Sequence, residues 1–186
     1  MTARGFAFTA AFALGLTVVA GAQTAPGVLA ELAPDLSTLE TKIVGLAKAI
    51  PQSGYDWRPG EGVRSVAEVL IHVAGDNYFA AANLGGLTAA HTGITGKTYK
   101  EAQAYESRTL DRAATIAALE ESFALQKEAL LSTPADRLDA ITDYFGPTRP
   151  ATVRRAWIGA TVHLHEHLGQ LIAYARSNRI APPWSR

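Results

Sequence analysis

The sequence predicts an all-α protein, a four-helix bundle, because apolar residues recur with helical spacing in four long segments. No segment shows the convincing alternation of a strand, and connections rich in Gly, Pro and Thr separate the four segments. A third observation is a group of three histidines within five residues of the last segment. The chain has 186 residues, of which 48% are hydrophobic, which suits one domain with a substantial core.

The charge and cysteine content exclude several classes of function. Lys+Arg 17 against Asp+Glu 17 gives a formal net charge of +0, so we expect no nucleic-acid partner. The Cys count is 0, which excludes disulfides, thiolate ligands and a cysteine nucleophile. Any metal site must therefore use histidine together with carboxylates or water.

The N-terminal residues 1–22 have the pattern of a cleaved signal peptide. Arg4 forms a short basic start, residues 5–20 are uncharged and mostly apolar, and Ala20-Gly-Ala22 offers small residues before a cut at Gln23. A membrane-spanning helix needs about 20 apolar residues, and this run is shorter. We expect a periplasmic or secreted protein with no membrane span after cleavage; the alternative is an uncleaved anchor.

Residues 23–30 are predicted to be a linker, and residues 31–186 a single helical domain. The first helix carries an apolar repeat at steps of four and three, and Pro51 ends it. Pro34 fits only if it lies in the first turn of that helix. The residues of the repeat are Leu32, Leu36, Leu39, Ile43, Leu46 and Ile50.

The other three long helices have recognisable ends. Ser65-Val-Ala-Glu68 has the pattern of a capping box and opens the second helix. The third is predicted from about Thr109 to Leu131. The fourth begins at Pro150, which suits a first turn, and ends near Ser177.

His163 and His167 are the first candidates for a metal site. They are four residues apart and so share one face of the fourth helix, in a row of core-facing residues, whereas His165 is rotated by about 200°. Two buried imidazoles need polar partners, and one divalent metal is the simplest partner that both could share. The alternative is a pair of hydrogen-bonded core histidines.

His72 is the candidate for a third ligand. It lies on an apolar row of the second helix, between Val69 and Asp76. A single histidine there is more simply a hydrogen-bonded core residue, but the pair on another core helix favours a metal ligand. Asp76 is then a fourth ligand, a hydrogen-bond acceptor or only a polar residue. His91 lies in a predicted loop, where we expect it to be exposed.

Three motifs together resemble the DinB-like superfamily of metal-binding helical bundles. They are Trp57-Arg-Pro-Gly-Glu-Gly-Val-Arg-Ser65, then Glu68-Val-Leu-Ile-His72, then His163-x-x-x-His167-x-Gly-Gln170. The resemblance extends from the first helix to the tail ending Pro-Pro-Trp184. It implies that His72, His163 and His167 bind one divalent ion and that His165 does not. It also implies a homodimer.

The resemblance implies a choice of functions. Some members are thiol S-transferases and others are linked to hydrolysis, although export would separate this chain from intracellular thiols. We expect a metal-dependent hydrolase or transferase that activates water or a nucleophile against an unidentified small-molecule substrate. The alternative is a non-catalytic binding or structural module, in which Asp76 closes the coordination shell.

The open side of the predicted metal site has polar residues nearby. Three protein ligands leave a coordination position free, as in catalytic zinc sites. Asp76, Asn77, Gln170 and Tyr174 are candidates to orient a water or to accept its proton. A shell of three imidazoles suits several transition metals, with zinc and nickel the favoured ions.

Overall fold

The computed structural model describes residues 27–185, and this part of the chain has five α-helices. The prediction of an all-α fold is confirmed. The predicted signal peptide and the first half of the predicted linker, residues 23–26, lie outside the described residues. The helices are α1 (Gly27–Ala49), α2 (Val66–Gly85), α3 (Lys100–Glu106), α4 (Arg112–Ser132) and α5 (Val153–Ser177).

Helix α1 begins earlier than the sequence predicts. It starts at Gly27, so residues 27–30 are helical although they belong to the predicted linker. Pro34 consequently lies inside the helix rather than in its first turn, where it removes one backbone hydrogen bond. The apolar repeat is nevertheless the buried face: Leu36, Leu39, Ile43, Leu46 and Ile50 are all buried.

Helix α2 is at the centre of the molecule. It packs against α3, α4 and α5, while α1 packs against α4 and α5. Nearly every side chain of α2 is buried, as expected for a helix surrounded by others. The predicted capping box is present, since Ser65 accepts from the Glu68 N–H and Glu68 accepts from the Ser65 N–H. Residues of α2 are therefore held rigidly in the core.

The connections contain two features that the sequence did not predict. Helix α3 lies between α2 and α4 and buries Ala102 and Tyr105. A short antiparallel pair joins β1 (Ile141–Thr142) to β2 (Ala151–Thr152) just before α5. Within the described residues, no helix combines the length and apolar character needed to cross a membrane.

The start of α5 differs from its prediction. Pro150 is not in the first turn, because it precedes β2 and the helix begins at Val153. Thr152 is the cap, and its hydroxyl oxygen accepts a hydrogen bond from the Arg155 N–H. The shift leaves residues 143–150 as a loop beside the first turn of α5.

Candidate metal centre

Three histidines from two helices meet at one point in the structure. His163 and His167 lie one turn apart on α5, and His72 faces them from the middle of α2. The Nε2 atom of His163 is 3.2 Å from Nε2 of His72 and 3.0 Å from Nε2 of His167. His72 and His167 are buried, and His163 is half-buried. All three imidazoles thus direct the same ring nitrogen to one small space.

These distances suit a shared metal ion. Zinc binds histidine nitrogen at about 2.0–2.1 Å, so the nitrogens around a tetrahedral ion are separated by about 3.3–3.4 Å. The observed separations of 3.2 and 3.0 Å are close to this value. The group His72, His163 and His167 could therefore hold a divalent ion.

The outward-facing ring nitrogens also have partners. Nδ1 of His72 lies 2.9 Å from Oε1 of Glu106, and Nδ1 of His167 lies 2.9 Å from Oε1 of Gln170. Nδ1 of His163 is 3.4 Å from the exposed carboxylate of Glu166. A proton on each Nδ1 satisfies these acceptors and leaves the Nε2 lone pairs pointing inward. Metal-binding histidines commonly have this arrangement.

Asp76 adds a carboxylate to the same space. Its Oδ2 atom is 2.8 Å from Nε2 of His163 and 3.3 Å from Nε2 of His72, while Oδ1 accepts a hydrogen bond from Tyr99 at 2.9 Å. The side chain is buried. Several acceptors therefore converge, so either a proton or a metal cation must lie between them.

A second group of possible ligands, His72 with Asp76 and Glu106, is a poorer metal site. Glu106 contacts Nδ1 of His72, whereas Asp76 approaches Nε2, so the two carboxylates lie on opposite edges of the imidazole. Glu106 is also paired with Arg64 at 3.0 Å. Only the group of three histidines directs equivalent nitrogens to one centre.

The pKa shifts indicate where positive charge is stable. The hydrogen bond to Asp76 raises the pKa of His163 despite partial burial. Burial lowers the pKa of His167 to about 4. For Asp76, burial acts to raise the pKa, but the hydrogen bond with His163 and the charges of both nearby histidines lower it overall. These directions favour an ionised Asp76, a proton held by His163 beside it, and a neutral His167.

A hydrogen-bonded chain links the supports of His167 and His72. Nε2 of Gln170 donates to the Tyr174 hydroxyl, which donates to the backbone oxygen of Arg64. The Arg64 guanidinium in turn pairs with Glu106. Gln170 and Tyr174 were predicted near the site; Glu106 and Arg64 were not. No local signal in the sequence identifies Glu106, since α3 itself was not predicted.

The other candidate residues lie elsewhere. Asn77 is fully buried between α2 and α4, where it donates to Ser122, so it does not face the histidines. His165 is exposed on the outer side of α5, as the helical phase predicts. His91 is exposed, as predicted, near Glu121. The structure therefore brings together three of the five histidines.

A cavity of about 570 Å³ lies against the histidine group. His163 and Asp76 form part of its wall, and Tyr99 and Glu166 lie next to them. Its remaining lining comes from the first turns of α5 and from the loop 143–150, namely Tyr144, Phe145, Gly146, Arg149, Arg155, Gly159 and Val162. A small molecule in this cavity would contact His163, which is the one histidine of the group that lines it, and Asp76.

The fold and the site define a class of protein: an all-helical domain with a three-histidine group able to hold a divalent metal beside a cavity. The family model described as the DinB superfamily matches residues 35–171. Because this match covers more than half of the chain, the protein belongs to the DinB superfamily.

Solved structures show the same fold. A DinB-like protein from Bacillus cereus is 16% identical with a TM-score of 0.65, and the match covers 89% of this chain and 99% of that one. A DinB-like protein from Bacillus subtilis is 19% identical with a TM-score of 0.60, covering 80% and 92%. An uncharacterised protein from Escherichia coli is 18% identical with a TM-score of 0.59, covering 84% and 98%. No curated protein matches the chain significantly.

Proposed function

We propose that this protein is an exported metal-dependent enzyme, a hydrolase or transferase, built on a four-helix bundle. His72, His163 and His167 hold one divalent ion through their Nε2 atoms, with zinc or nickel the favoured metals. The observation that carries the proposal is the convergence of these three nitrogens beside a cavity large enough for a small molecule.

The surrounding residues have defined tasks in this proposal. A divalent ion supplies Lewis acidity, which lowers the pKa of a water or of a substrate nucleophile. Glu106 and Gln170 fix the tautomer and orientation of His72 and His167. Asp76 is the candidate general base, because its buried carboxylate lines the cavity beside His163. The Tyr99 hydroxyl donates to Asp76 and holds its carboxylate in place.

A second candidate function is a non-catalytic module in which the metal joins α2 to α5. The position of Asp76 favours it, because Oδ2 lies 2.8 Å and 3.3 Å from two of the converging nitrogens, as a fourth ligand would. Substituting Asp76→Asn separates the two functions. A general base would lose activity with metal retained, whereas a fourth ligand would lose metal.

Measuring the metal bound by single His→Ala variants tests whether these three histidines are the ligands. We expect His72→Ala, His163→Ala and His167→Ala to lose the metal that co-purifies with the protein. The variants His165→Ala and His91→Ala are controls, because both side chains are exposed away from the centre. Metal loss from His165→Ala as complete as that from His163→Ala would contradict the proposed ligand set.

Export and self-association complete the proposal. Export rests on the charge and size pattern of residues 1–22, and we expect protein secreted by a suitable host to begin at Gln23. An intact Met1 in the membrane fraction would contradict cleavage. A homodimer rests on family resemblance, and sedimentation at micromolar concentration distinguishes it from a monomer.

A further inference from the structure

The cavity beside the histidines extends along one face of α5. Arg155, Gly159 and His163 are spaced four residues apart, so they lie one above another on the wall of the cavity. The loop 143–150 forms the wall near Arg155. The cavity therefore has a histidine end and an arginine end.

Two guanidinium groups flank one aromatic ring at the arginine end. The Cζ atoms of Arg149 and Arg155 lie 5.7 Å and 5.6 Å from the centre of the Phe145 ring. Neither arginine has a carboxylate partner among residues 27–185. The adjacent Arg154, in contrast, pairs with Asp139 at 2.7 Å. Within the described residues, the positive charges of Arg149 and Arg155 are therefore not held in ion pairs.

Arg155 is an exposed cation at the N-terminal end of α5, a position that favours a bound anion. It lies in the first turn of α5, where the helix dipole disfavours a cation, and that turn contains no acidic residue. A second cation, Arg149, lines the same cavity. The repulsion between these groups is relieved if an anion lies between them.

Gly159 sets the shape of the arginine end. The Phe145 ring packs directly against Gly159, in space that a side chain would occupy. Nη1 of Arg155 is 3.0 Å from the position that a Cβ of Gly159 would take, so the guanidinium extends one turn toward His163. Residue 163 is one further turn along, a rise of about 6 Å. The two ends are thus about one helical turn apart.

The remaining wall combines apolar, phenolic and negative side chains. Val162 is 51% exposed and offers an apolar surface between the ends. Asp76 and Glu166 lie at the histidine end. In the metal-free protein their charges repel an anion there, so the anionic end of a ligand is directed to the arginines.

We propose that the cavity binds a small molecule with a carboxylate or phosphate group, which Arg149 and Arg155 hold. An apolar part of the molecule packs against Phe145 and Val162, and the reacting group lies about one helical turn away at His163. The identity of the reacting end rests on the proposed function, but anion binding at the arginine end does not require the metal.

Calorimetric titration of chelator-treated protein with phenylphosphonate and with 3-phenylpropionate tests this proposal. We expect both probes to bind, benzyl alcohol not to bind, and the double variant Arg149→Gln/Arg155→Gln to weaken binding at least tenfold. Arg154→Gln is the matched control, since it removes a charge from the same turn but one that is already paired. It should change the affinity by less than twofold. Of the two probes, the one whose affinity falls more in the double variant carries the preferred anionic group.

Several results would overturn the proposal. Wild-type affinity in the double variant would do so, as would equal losses in Arg154→Gln. Binding seen only after zinc is added and unaffected by the arginines would also overturn it, because the anion would then be bound by the metal alone. If the double variant unfolds, Arg155→Lys replaces it, and we expect weaker binding without complete loss. A protein that binds the probes but no metal would contradict only the proposed function.

Discussion

His163 and His167 were predictable because their relationship is local, whereas His72 was assigned from its apolar helical row and from family resemblance. A spacing of four residues on a helix fixes the relative directions of His163 and His167, and the same periodicity turns His165 outward. The partners of these imidazoles depend on tertiary structure. Glu106 is 34 residues from His72 in the chain, and it reaches Nδ1 only because α3 packs on α2. Local periodicity contains no information about such a contact.

Glu106→Gln tests the role of this distant partner. The amide keeps an oxygen that can accept from Nδ1 of His72 but removes the charge that makes the imidazole a stronger ligand. We expect metal affinity to fall about 10- to 100-fold, which is typical for such supporting residues. Competition titration with a metal-binding dye measures the change.

Glu128→Gln is the matched control for that substitution, because Glu128 is an exposed residue of α4. It removes the same charge without touching the histidines. Equal affinities for metal in the two variants would show that Glu106 does not support the site.

At the scale of elements, the long helices could be predicted from apolar periodicity and caps. The structure of the connections could not be predicted in this way. The start of α5 illustrates the reason. Pro150 is compatible with a first helical turn, but pairing of β1 with β2 holds residues 151–152 in extended conformation, and Thr152 then caps the helix. The competing interaction comes from ten residues earlier, so a local reading of the sequence misses it. The resulting loop supplies four of the eleven residues that line the cavity.

The contact between α2 and α4 depends on a single glycine. A Cβ on Gly85 would lie 2.5 Å from Cβ, 2.9 Å from Cα and 3.0 Å from the backbone oxygen of Ala129. Because backbone atoms of α4 are involved, Gly85→Ala requires the helices to separate. We expect a loss of about 1–3 kcal/mol in the free energy of unfolding, measured by urea denaturation.

Gly45→Ala in α1 is the control for this prediction. Its added methyl group would meet Pro183 at 3.8 Å and Trp184 at 3.9 Å, which are ordinary contacts. Alanine in a helix interior should then stabilise by about 0.5–1 kcal/mol. If Gly85→Ala also stabilised the protein, the close approach of α2 to α4 would not require a glycine at this position.

At the scale of the whole molecule, the site joins two helices that are far apart in sequence. His72 belongs to the central helix α2, while His163 and His167 belong to the last helix. In the metal-free protein, the converging acceptors Asp76 and the three imidazoles are stabilised only by protons. An ion that binds the folded state and not the unfolded chain must therefore raise stability.

Thermal unfolding with and without added zinc measures this coupling. At a free zinc concentration 100 times the dissociation constant, the expected gain is about 2.7 kcal/mol, which for a chain of this size corresponds to roughly 5–11 °C in Tm. His163→Ala should remove the zinc-dependent shift, because only two imidazoles remain, whereas His165→Ala should retain it in full. A shift of the same size in both variants would mean that zinc stabilises the protein from another place, and the three-histidine group would then not be the metal site.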